Sequence, residues 1–538
     1  MPSDRPFGLY PPRANSKIEF RNFARLVFLV VIFLSCSIVV ADEPVGTTNN
    51  ESESKPNIIV ILADDLGYAD FSVEHMPRTA TLFKSRGTSL HLYSHQNCAP
   101  SRAALMTGVS PVRYNQHGVF TLPINTGVPA RHKLIPEYLQ PAGYTTGAFG
   151  KWHLGMDVTQ TPTIRGFDTF VGCRGGQIRS YGSLPGGRLY PDGTIGHDHH
   201  FRHDMAENGV SFYSPKYSTR LFRDRTIDFI ESAEQPFFAY VAFNAPHSPY
   251  SAPRASFDAV KADCGITPLD ETYLATYAAD VVGLPSKSTA PLEIQELLNR
   301  ALYYAMVREL DIAIARIWDS LVESGQEDNT VLLFASDNGG VTDFADNGLF
   351  RKGKGSVYEG GHYVANGIIA PGISPGQEVS SSIWFADLAP TILQFAGVPY
   401  TGLDGASALR ALMFNTEVIR KRGLRSFPCH VDKRYRPSIN QIKASASIHT
   451  NNYKYIRYYD FDLDGKTILR TYESLFDLVV DPYETRSLHR TRGYEEIIED
   501  LREEHDFWIG DARMKGIRTV NNIGAWEGFV YPEEWGDY

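Results

Sequence analysis

Continuous apolar runs alternate with amphipathic segments along the middle of this 538-residue chain. Ile58–Ala63 is an unbroken apolar run rich in β-branched residues, which is typical of a strand buried on both faces of a sheet. Similar runs recur at Thr145–Phe149, Phe237–Phe243, Val331–Ala335 and Gly367–Ala370. Apolar patterns with helical spacing predict helices at Leu134–Ala142, Tyr217–Ala233 and Ile294–Ser324. This alternation predicts an α/β fold, in which a large mixed, mostly parallel sheet is sandwiched by helices.

The pattern changes after about residue 415. Short alternating strands are predicted at Tyr453–Tyr459 and Tyr472–Leu478, and a helix is predicted at Tyr494–Trp508. We therefore expect a main domain at 56–415 and, at 416–538, a smaller C-terminal α+β subdomain made of an antiparallel sheet plus a helix.

The N-terminal region predicts export. The apolar run Leu26–Ala41 follows a basic stretch and ends in small residues, which is the layout of a secretory signal peptide. We assign 1–41 to this signal and the polar residues 42–55 to a linker. A membrane anchor is the alternative, although the run is short for a full span. The mature protein is expected in a secreted, periplasmic or lysosome-like compartment.

Composition excludes several function classes. Hydrophobic residues make up 43% of the chain and charged residues 21%, which is typical of a globular protein. The formal net charge of −10 argues against nucleic acid as a partner, because phosphate binding needs a basic surface. The five cysteines are scattered, so their spacing indicates neither a disulfide framework nor a structural zinc site.

Charged or imidazole side chains follow four of the predicted strands. In open α/β sheets, ligands bind beyond the carboxyl ends of the strands, so we expect these residues to line a pocket. Asp64, Asp65, Asp337 and Asn338 offer only oxygen atoms, which suits a hard cation such as Ca²⁺ or Mg²⁺. Lys151, His153 and His247 offer hydrogen-bond donors, which suit an anionic substrate. The alternative is that each group is a charge in an ordinary turn.

A cysteine lies just before a predicted helix start, in the segment Cys98–Gly108 (CAPSRAALMTG). The free N–H groups and the positive dipole end of a first helical turn stabilise an anion. Cys98 is therefore a candidate nucleophile, and an inert buried cysteine is the alternative.

This segment resembles the signature of the formylglycine-dependent sulfatases of the alkaline phosphatase superfamily, C-x-P-S-R-x-x-x-L/M-T-G, at every fixed position. Supporting segments occur in family order: Asn57–Gly67, Gly150–Gly155, Arg165–Asp168, Asn244–Pro249, Ser336–Gly340 and Gly353–Gly361. The resemblance covers roughly Pro56 to Leu488 and is strongest to the arylsulfatase B or N-acetylgalactosamine sulfatase branch. It makes 56–415 the expected catalytic domain.

The resemblance implies that a formylglycine-generating maturation enzyme oxidises Cys98 to Cα-formylglycine (3-oxoalanine). One oxygen of the hydrated aldehyde would attack sulfur, and the other would later expel inorganic sulfate. One Ca²⁺ ion would be bound by Asp64, Asp65, Asp337, Asn338 and the modified Cys98.

The resemblance also implies roles for the remaining polar residues. Arg102 would hold the hydrate, and His153 would donate a hydrogen bond to it. Lys151 and Lys354 would neutralise the sulfate, and His247 would bind substrate and protonate the leaving oxygen. The implied activity is that of a sulfuric ester hydrolase acting on a sulfated carbohydrate or a small sulfate ester.

Three alternative functions stay open from the sequence. A phosphodiester or phosphonate monoester hydrolase could use the same scaffold and the same modified cysteine. A metal-dependent phosphatase with a serine or threonine nucleophile is disfavoured, because the zinc-binding histidines expected after SDNGG are absent from the sequence. A carbohydrate-binding protein on an inactive scaffold is disfavoured, because every expected polar position is filled.

Two sequence features fit the family pattern less well. Tyr363 and Ala365 stand where the family usually has arginine and proline, which we expect to alter wall packing or the substrate rim. The stretch His197–His203 contains four histidines. Such a stretch is ordinarily a solvated loop. Of the two functional alternatives, a zinc site and a part of the pocket mouth that touches the sugar, we prefer the second.

Overall fold

The computed structural model describes residues 55–114, 127–155, 157–176, 205–212, 214, 216–234, 236–276, 280–285, 288–418, 425–427, 444–461 and 468–514. The predicted signal peptide and the His197–His203 cluster lie outside the described residues, as does all of the predicted linker except Lys55. None of the described helices is both long enough and apolar enough to cross a bilayer.

The described residues contain seventeen strands and ten α-helices. The strands are β1 Asn57–Ala63, β2 Ser89–Tyr93, β3 Thr145–Lys151, β4 Thr169–Cys173, β5 Met205–Glu207, β6 Val210–Ser211, β7 Phe237–Ala242, β8 Ser251–Pro253, β9 Ala275–Thr276, β10 Val281–Gly283, β11 Thr330–Ser336, β12 Asn366–Ile369, β13 Glu378–Trp384, β14 Arg425–Phe427, β15 Ala444–His449, β16 Tyr453–Phe461 and β17 Ile468–Asp477. The helices are α1 Pro77–Arg86, α2 Cys98–Thr107, α3 Ile135–Leu139, α4 Ser218–Ser232, α5 Arg254–Val260, α6 Leu292–Glu323, α7 Glu359–His362, α8 Phe385–Phe395, α9 Leu409–Phe414 and α10 Glu495–Met514.

The central sheet has eight strands in the order β12-β11-β1-β7-β3-β4-β5-β6. The five strands from β11 to β4 run parallel, and β12, β5 and β6 are antiparallel to their neighbours. This confirms the predicted mixed, mostly parallel sheet. The five strands predicted from apolar runs, β1, β3, β7, β11 and β12, are all members of it.

Strand β1 shows why the sheet needs helices on both sides. Its alternate residues Ile58, Val60 and Leu62 belong to one hydrophobic core, and Ile59 and Ile61 belong to the core on the opposite face. Helices α2 and α8 contribute to the first core, and α4 and α6 contribute to the second. Full burial of one such side chain stabilises the fold by about 1.5–3 kcal/mol.

Helix α2 begins at Cys98 itself, whereas the sequence predicts a helix start just after this residue, and all ten residues of the helix are buried. The Ser101 hydroxyl donates to the carbonyl of Asn97 at 2.8 Å and accepts from the backbone N–H of His95 at 3.0 Å. These bonds fix the chain that leads into the helix. Gly108 ends the helix at φ +65°, where a Cβ atom would meet the Leu403 side chain at 2.9 Å. The strained backbone and the lack of space both explain glycine at this position.

The C-terminal region contains a four-stranded antiparallel sheet in the order β14-β15-β16-β17. Helix α10 packs on this sheet through Ile498 and Leu501, which contact Ile448 and Leu475 in a separate small core. The antiparallel sheet and the helix confirm the predicted α+β character of this region. Strands β14 and β15 have no sequence prediction of their own, and the boundary at 415/416 stays a prediction.

Candidate active site

The carboxyl ends of the parallel strands bring the predicted site residues together. Asp64 and Asp65 follow β1, and Asp337 and Asn338 follow its neighbour β11, where Ala63 and Ser336 are register partners. Lys151 ends β3, and His247 follows β7. Cys98 and Arg102 project from the first turns of α2, while Lys354 lies in the loop before α7. These nine residues, separated by up to 290 positions in the chain, thus form one cluster.

Each of the three carboxylates has a cationic partner. The Nζ atom of Lys151 lies 2.7 Å from Oδ2 of Asp64, and both side chains are fully buried. The Nζ atom of Lys354 lies 2.7 Å from Oδ1 of Asp65. The guanidinium of Arg102 contacts Oδ2 of Asp337 through Nε at 2.9 Å and Nη2 at 2.8 Å. Buried charges are tolerated when they are paired in this way.

Backbone hydrogen bonds connect the chain segments that follow β1, β7 and β11. The N–H of Asp64 donates to the carbonyl of Ala245 at 3.1 Å, and the N–H of Asp337 donates to the carbonyl of Ala63 at 3.0 Å. Asp65 takes a left-handed conformation at φ +69°. This unusual conformation turns the chain directly after the strand, so that two consecutive carboxylates face the same site.

The oxygen atoms at this strand edge fit a hard cation. Oδ1 of Asp64 and Oδ1 of Asn338 are buried and make no hydrogen bond within the protein. Such orphaned acceptors cost free energy unless something else satisfies them. One ligand atom each from Asp64, Cys98 and Asp337 lies within 4.8 Å of the other two. The residues present therefore fit the predicted Ca²⁺ site.

The pKa values of the carboxyl groups are also consistent with a cation site. Burial, and then the negative charge of Asp64, raises the pKa of Asp337 to about 6, although Arg102 opposes the shift. Burial by itself would raise the pKa of Asp65, but the charge of Lys354 acts in the opposite direction, and the pKa of Asp65 is held below its usual value. Asp337 thus gains from a further positive charge beside it.

Cys98 contacts His153 at the start of α2. The Sγ atom lies 3.3 Å from Nδ1 of the imidazole. Burial raises the pKa of the Cys98 thiol, although Lys151 and Lys354 act in the opposite direction. Burial, and then the charge of Lys151, lowers the pKa of His153 well below its ordinary value. The encoded thiol is therefore held in its protonated form, which is a weak nucleophile.

Arg102 joins α2 to two strands. Besides Asp337, it contacts the backbone carbonyl of Lys151 through Nη1 at 3.0 Å and the hydroxyl of Tyr240 at 3.5 Å. Sequence reasoning missed Tyr240, because a tyrosine inside an apolar strand gives no signal of a polar role. It also missed Ser336, whose hydroxyl accepts from the N–H of Leu66 at 3.1 Å and donates to the carbonyl of Asn338 at 2.8 Å.

His247 lies beside Asp65 and the backbone of Ser248. Its Nε2 atom lies 3.6 Å from Oδ2 of Asp65, and its Nδ1 atom lies 2.5 Å from the carbonyl of Ser248. Since a carbonyl only accepts, Nδ1 carries the proton in the neutral ring. Burial, and then the charge of Lys354, lowers the pKa of His247 to about 3, against the opposing charge of Asp65. The imidazole is therefore neutral at pH 7 before substrate binds.

The two departures from the family pattern both fall in packed positions. Tyr363 is 7% exposed and lies in an aromatic cluster, with ring centroids 5.2 Å from Tyr68 and 5.0 Å from Phe350. The carbonyl of Ala365 accepts from the N–H of Ser336 at 2.9 Å. Tyr363 is thus a packing residue within an aromatic cluster.

Comparison with known families decides the identity of the fold. Residues 56–398 match the family model for sulfatases, which is more than half of the chain. The chain belongs to the sulfatase family. Residues 357–507 also match the family described as N-sulphoglucosamine sulphohydrolase, C-terminal. Sulfatases hydrolyse sulfuric esters, and this is the reaction class of the enzyme.

Curated relatives include sulfatases from fungi and mammals. The chain is 28% identical to an uncharacterized sulfatase of Schizosaccharomyces pombe over 88% of this chain and 96% of that protein. It is 29% identical to arylsulfatase J of Mus musculus over 64% of this chain and 53% of the relative. It is 28% identical to N-acetylgalactosamine-6-sulfatase of Mus musculus over 64% of this chain and 63% of the relative. The sulfatase therefore spans just over half of one mammalian relative and under two thirds of the other.

A solved structure also shares the fold. The crystal structure of Ps i-CgsB has a TM-score of 0.67 and 28% sequence identity, and the match covers 88% of this sulfatase and 97% of that chain. The same protein was solved in complex with k-i-k-neocarrahexaose, and this complex matches with a TM-score of 0.67 and 27% identity.

Proposed function

We propose that this sulfatase hydrolyses sulfate esters of a sulfated carbohydrate, using a formylglycine made from Cys98 and one bound Ca²⁺ ion. The observation that carries the proposal is the contact of Cys98 with His153 in the same buried cluster as three carboxylates and three cationic side chains. As an encoded thiol, Cys98 is a poor nucleophile here, because burial raises its pKa. Conversion to an aldehyde hydrate would supply an oxygen nucleophile at the same position.

The cation would be bound by Asp64, Asp65, Asp337 and Asn338, together with the modified residue 98. All four encoded ligands offer oxygen atoms, and two of these oxygens have no partner within the protein. When bound, Ca²⁺ would polarise a sulfate oxygen and stabilise negative charge on the nucleophile.

The cationic side chains would bind the sulfate and neutralise charge that builds up during the reaction. Lys151 contacts Asp64 and Lys354 contacts Asp65, so each ammonium group could exchange its carboxylate contact for a sulfate oxygen. Arg102 is held rigidly by Asp337 and by the carbonyl of Lys151. Its guanidinium would orient the hydroxyl groups of residue 98. Preorganised donors of this kind account for about 10²–10³ in rate each.

His153 and His247 would take part in hydrogen bonding and proton transfer. His153 contacts the side chain of residue 98, so it would donate a hydrogen bond to the hydrate or accept one from it. His247 would protonate the leaving oxygen. It is neutral in the substrate-free protein, because burial and the charge of Lys354 lower its pKa to about 3. The negative charge of a bound sulfate ester would raise that pKa and allow His247 to carry the required proton.

A sulfated carbohydrate is the substrate class that the relatives favour. The mouse relative is named for N-acetylgalactosamine-6-sulfate, and the matching crystal structure contains k-i-k-neocarrahexaose. A phosphodiester or phosphonate monoester hydrolase is the alternative on this scaffold. We also propose that the enzyme is exported, because Leu26–Ala41 has the pattern of a signal peptide, and that it depends on a maturation enzyme in its host.

Mass spectrometry of the tryptic peptide Gly87–Arg102 tests the proposed nucleophile. Active protein from the native host should contain an aldehyde at residue 98, trapped by a hydrazide reagent, and Cys98→Ala should remove both the adduct and the activity. An unmodified thiol in fully active protein would disprove the mechanism. Paired assays with an aryl sulfate and an aryl phosphonate separate the two substrate classes, and a higher kcat/KM for the phosphonate would favour the alternative. Amino-terminal sequencing of protein from the host medium tests export.

A further inference from the structure

A second buried cluster of charged and imidazole groups lies between the catalytic domain and the C-terminal sheet. Glu359 and His362 come from the short helix α7, and His449 ends strand β15. Lys454 comes from β16, and Glu484 comes from the loop after β17. No residue in this cluster exposes more than 3% of its surface. Buried ionisable groups of this density are costly, so they call for a specific explanation.

The orientation of His362 is the first observation. Its Nε2 atom lies 3.1 Å from the carbonyl of Val357, and because a carbonyl only accepts, Nε2 carries the proton. The lone pair is therefore on Nδ1. This atom is buried and makes no hydrogen bond within the protein. A histidine that donates one ring N–H to a backbone carbonyl and presents its other nitrogen is the usual arrangement of a metal ligand.

The packing of Glu359 is the second observation. The Nζ atom of Lys454 lies 3.0 Å from Oε1 of Glu359 and 2.7 Å from Oε1 of Glu484, so that two buried carboxylates share one ammonium group. The Nε2 atom of His449 lies 3.8 Å from the same Oε1 atom of Glu359. Because zinc–ligand bonds measure about 2.0–2.2 Å, this nitrogen and this oxygen can both reach one ion between them.

We propose that Glu359, His362 and His449 bind a zinc-like divalent ion. One ligand atom from each residue lies within 4.8 Å of the other two. Two imidazole nitrogens and one carboxylate oxygen suit Zn²⁺, whereas the all-oxygen group at Asp64 and Asp337 suits Ca²⁺. The Tyr93 hydroxyl donates to Oε2 of Glu359 at 3.1 Å and fixes the carboxylate, while Lys454 keeps Glu484 as its partner.

The position of the ion defines its role. Glu359 and His362 lie five and eight residues after Lys354 in the same segment, and His449 belongs to the C-terminal sheet. The ion would therefore fasten the segment that carries Lys354 to that sheet. Because all three ligands are buried, the role is structural, and it does not depend on the formylglycine or on Ca²⁺.

Metal titration of tag-free, full-length protein tests this proposal. After dialysis against a weak chelator, wild type should retain one equivalent of Zn²⁺ by elemental analysis. Added Zn²⁺ should raise the melting temperature of metal-stripped protein by about 2 °C or more. His362→Gln and His449→Gln should each lower Zn²⁺ affinity at least about tenfold. Unchanged affinity in both variants would overturn the proposal.

Two controls keep the result specific to this cluster. A variant with glutamine at His197, His199, His200 and His203 removes the other histidine-rich stretch and should keep the bound Zn²⁺, so loss of the metal in this variant would contradict the proposal. If the His362 or His449 variants fail to fold, X-ray absorption of Zn²⁺-loaded wild type decides the question. Two imidazoles in the coordination shell support the site, and a shell of oxygen alone excludes it.

Discussion

The Sγ atom of Cys98 lies 3.3 Å from Nδ1 of His153, although the two residues are 55 positions apart in the chain. Helix α2 supplies the cysteine from its first turn, and the chain leaving β3 supplies the imidazole at φ +53°. Since the surrounding helix is wholly buried, neither side chain can leave the other without repacking. Any reaction at residue 98 therefore takes place in contact with the imidazole of His153.

Replacement of Cys98 by alanine should abolish activity while the protein stays folded. The change removes the proposed nucleophile, so aryl sulfatase activity should fall by at least about 10³-fold. Cys264→Ala is the matched control, because this half-exposed cysteine lies outside the site and its loss should leave kcat/KM unchanged. Residual activity of Cys98→Ala above one tenth of wild type would contradict a covalent role.

Asp337→Asn should lower both stability and calcium affinity. The change leaves the fully buried guanidinium of Arg102 without its carboxylate, which costs about 3–5 kcal/mol of unfolding free energy. Asp328→Asn is the control, since it breaks the exposed pair with Arg86, which contributes at most about 1 kcal/mol. Urea unfolding and calcium titration calorimetry measure the two effects. Equal stability losses in the two variants would show that the buried pair has no special role.

Lys354→Met should lower kcat/KM by about 10²–10³, because the charge that would neutralise the sulfate is lost. The chain offers a close control in Lys352→Met, two residues earlier, whose side chain is exposed and should not matter. Steady-state kinetics with an aryl sulfate compares the two variants. A similar loss of kcat/KM for Lys352→Met would mean that activity depends on the net charge of the loop and not on the position of Lys354.

The stability of the enzyme should fall as pH rises from about 4 to 7, in part because of Asp70. Burial raises the pKa of Asp70 to about 7, although Tyr303 donates to its Oδ2 atom at 2.5 Å. The folded state therefore keeps a proton that the unfolded state loses above pH 4, and each pKa unit is equivalent to about 1.4 kcal/mol. Asp70→Asn should flatten this slope.

Thermal unfolding at several pH values measures the Asp70 effect. The exposed Asp343 lies in the loop that follows β11, and Asp343→Asn should leave the slope as it is in wild type. An equal slope in Asp70→Asn and wild type would assign the pH dependence to other groups.

The sequence pattern predicted the central sheet well, because its strands are buried on both faces and their sequences are therefore continuous apolar runs. Strand β1, with all seven residues buried, shows this most clearly. Strands β2 and β15 escaped prediction for the opposite reason. Their sequences, SLHLY and ASASIH, mix polar and apolar residues, and only their pairing with β13 and β16 buries them.

The sequence predicted that the candidate site residues would lie close together, but it did not predict which of them contact one another. Aspartates and histidines that follow strands are visible along the chain, and the structure brings all of them together. The pairing of Lys151 with Asp64, across 87 positions, depends on the order of strands in the sheet and has no local signal. The burial of Lys454 could not be predicted for the same reason. In the sequence it has the pattern of an exposed charge on a strand, and in the fold it is fully buried.

The burial of helix α2 also determines when Cys98 is accessible to another protein. Cys98 exposes only 2% of its surface, and Pro100, Ser101 and Arg102 around it expose none or almost none. A second protein cannot bind the segment Cys98–Arg102 once the helix has packed on the sheet. If activity depends on the proposed conversion of Cys98, the maturation enzyme would therefore have to act on the chain before helix α2 packs on the sheet, and a molecule that folded first would stay inactive.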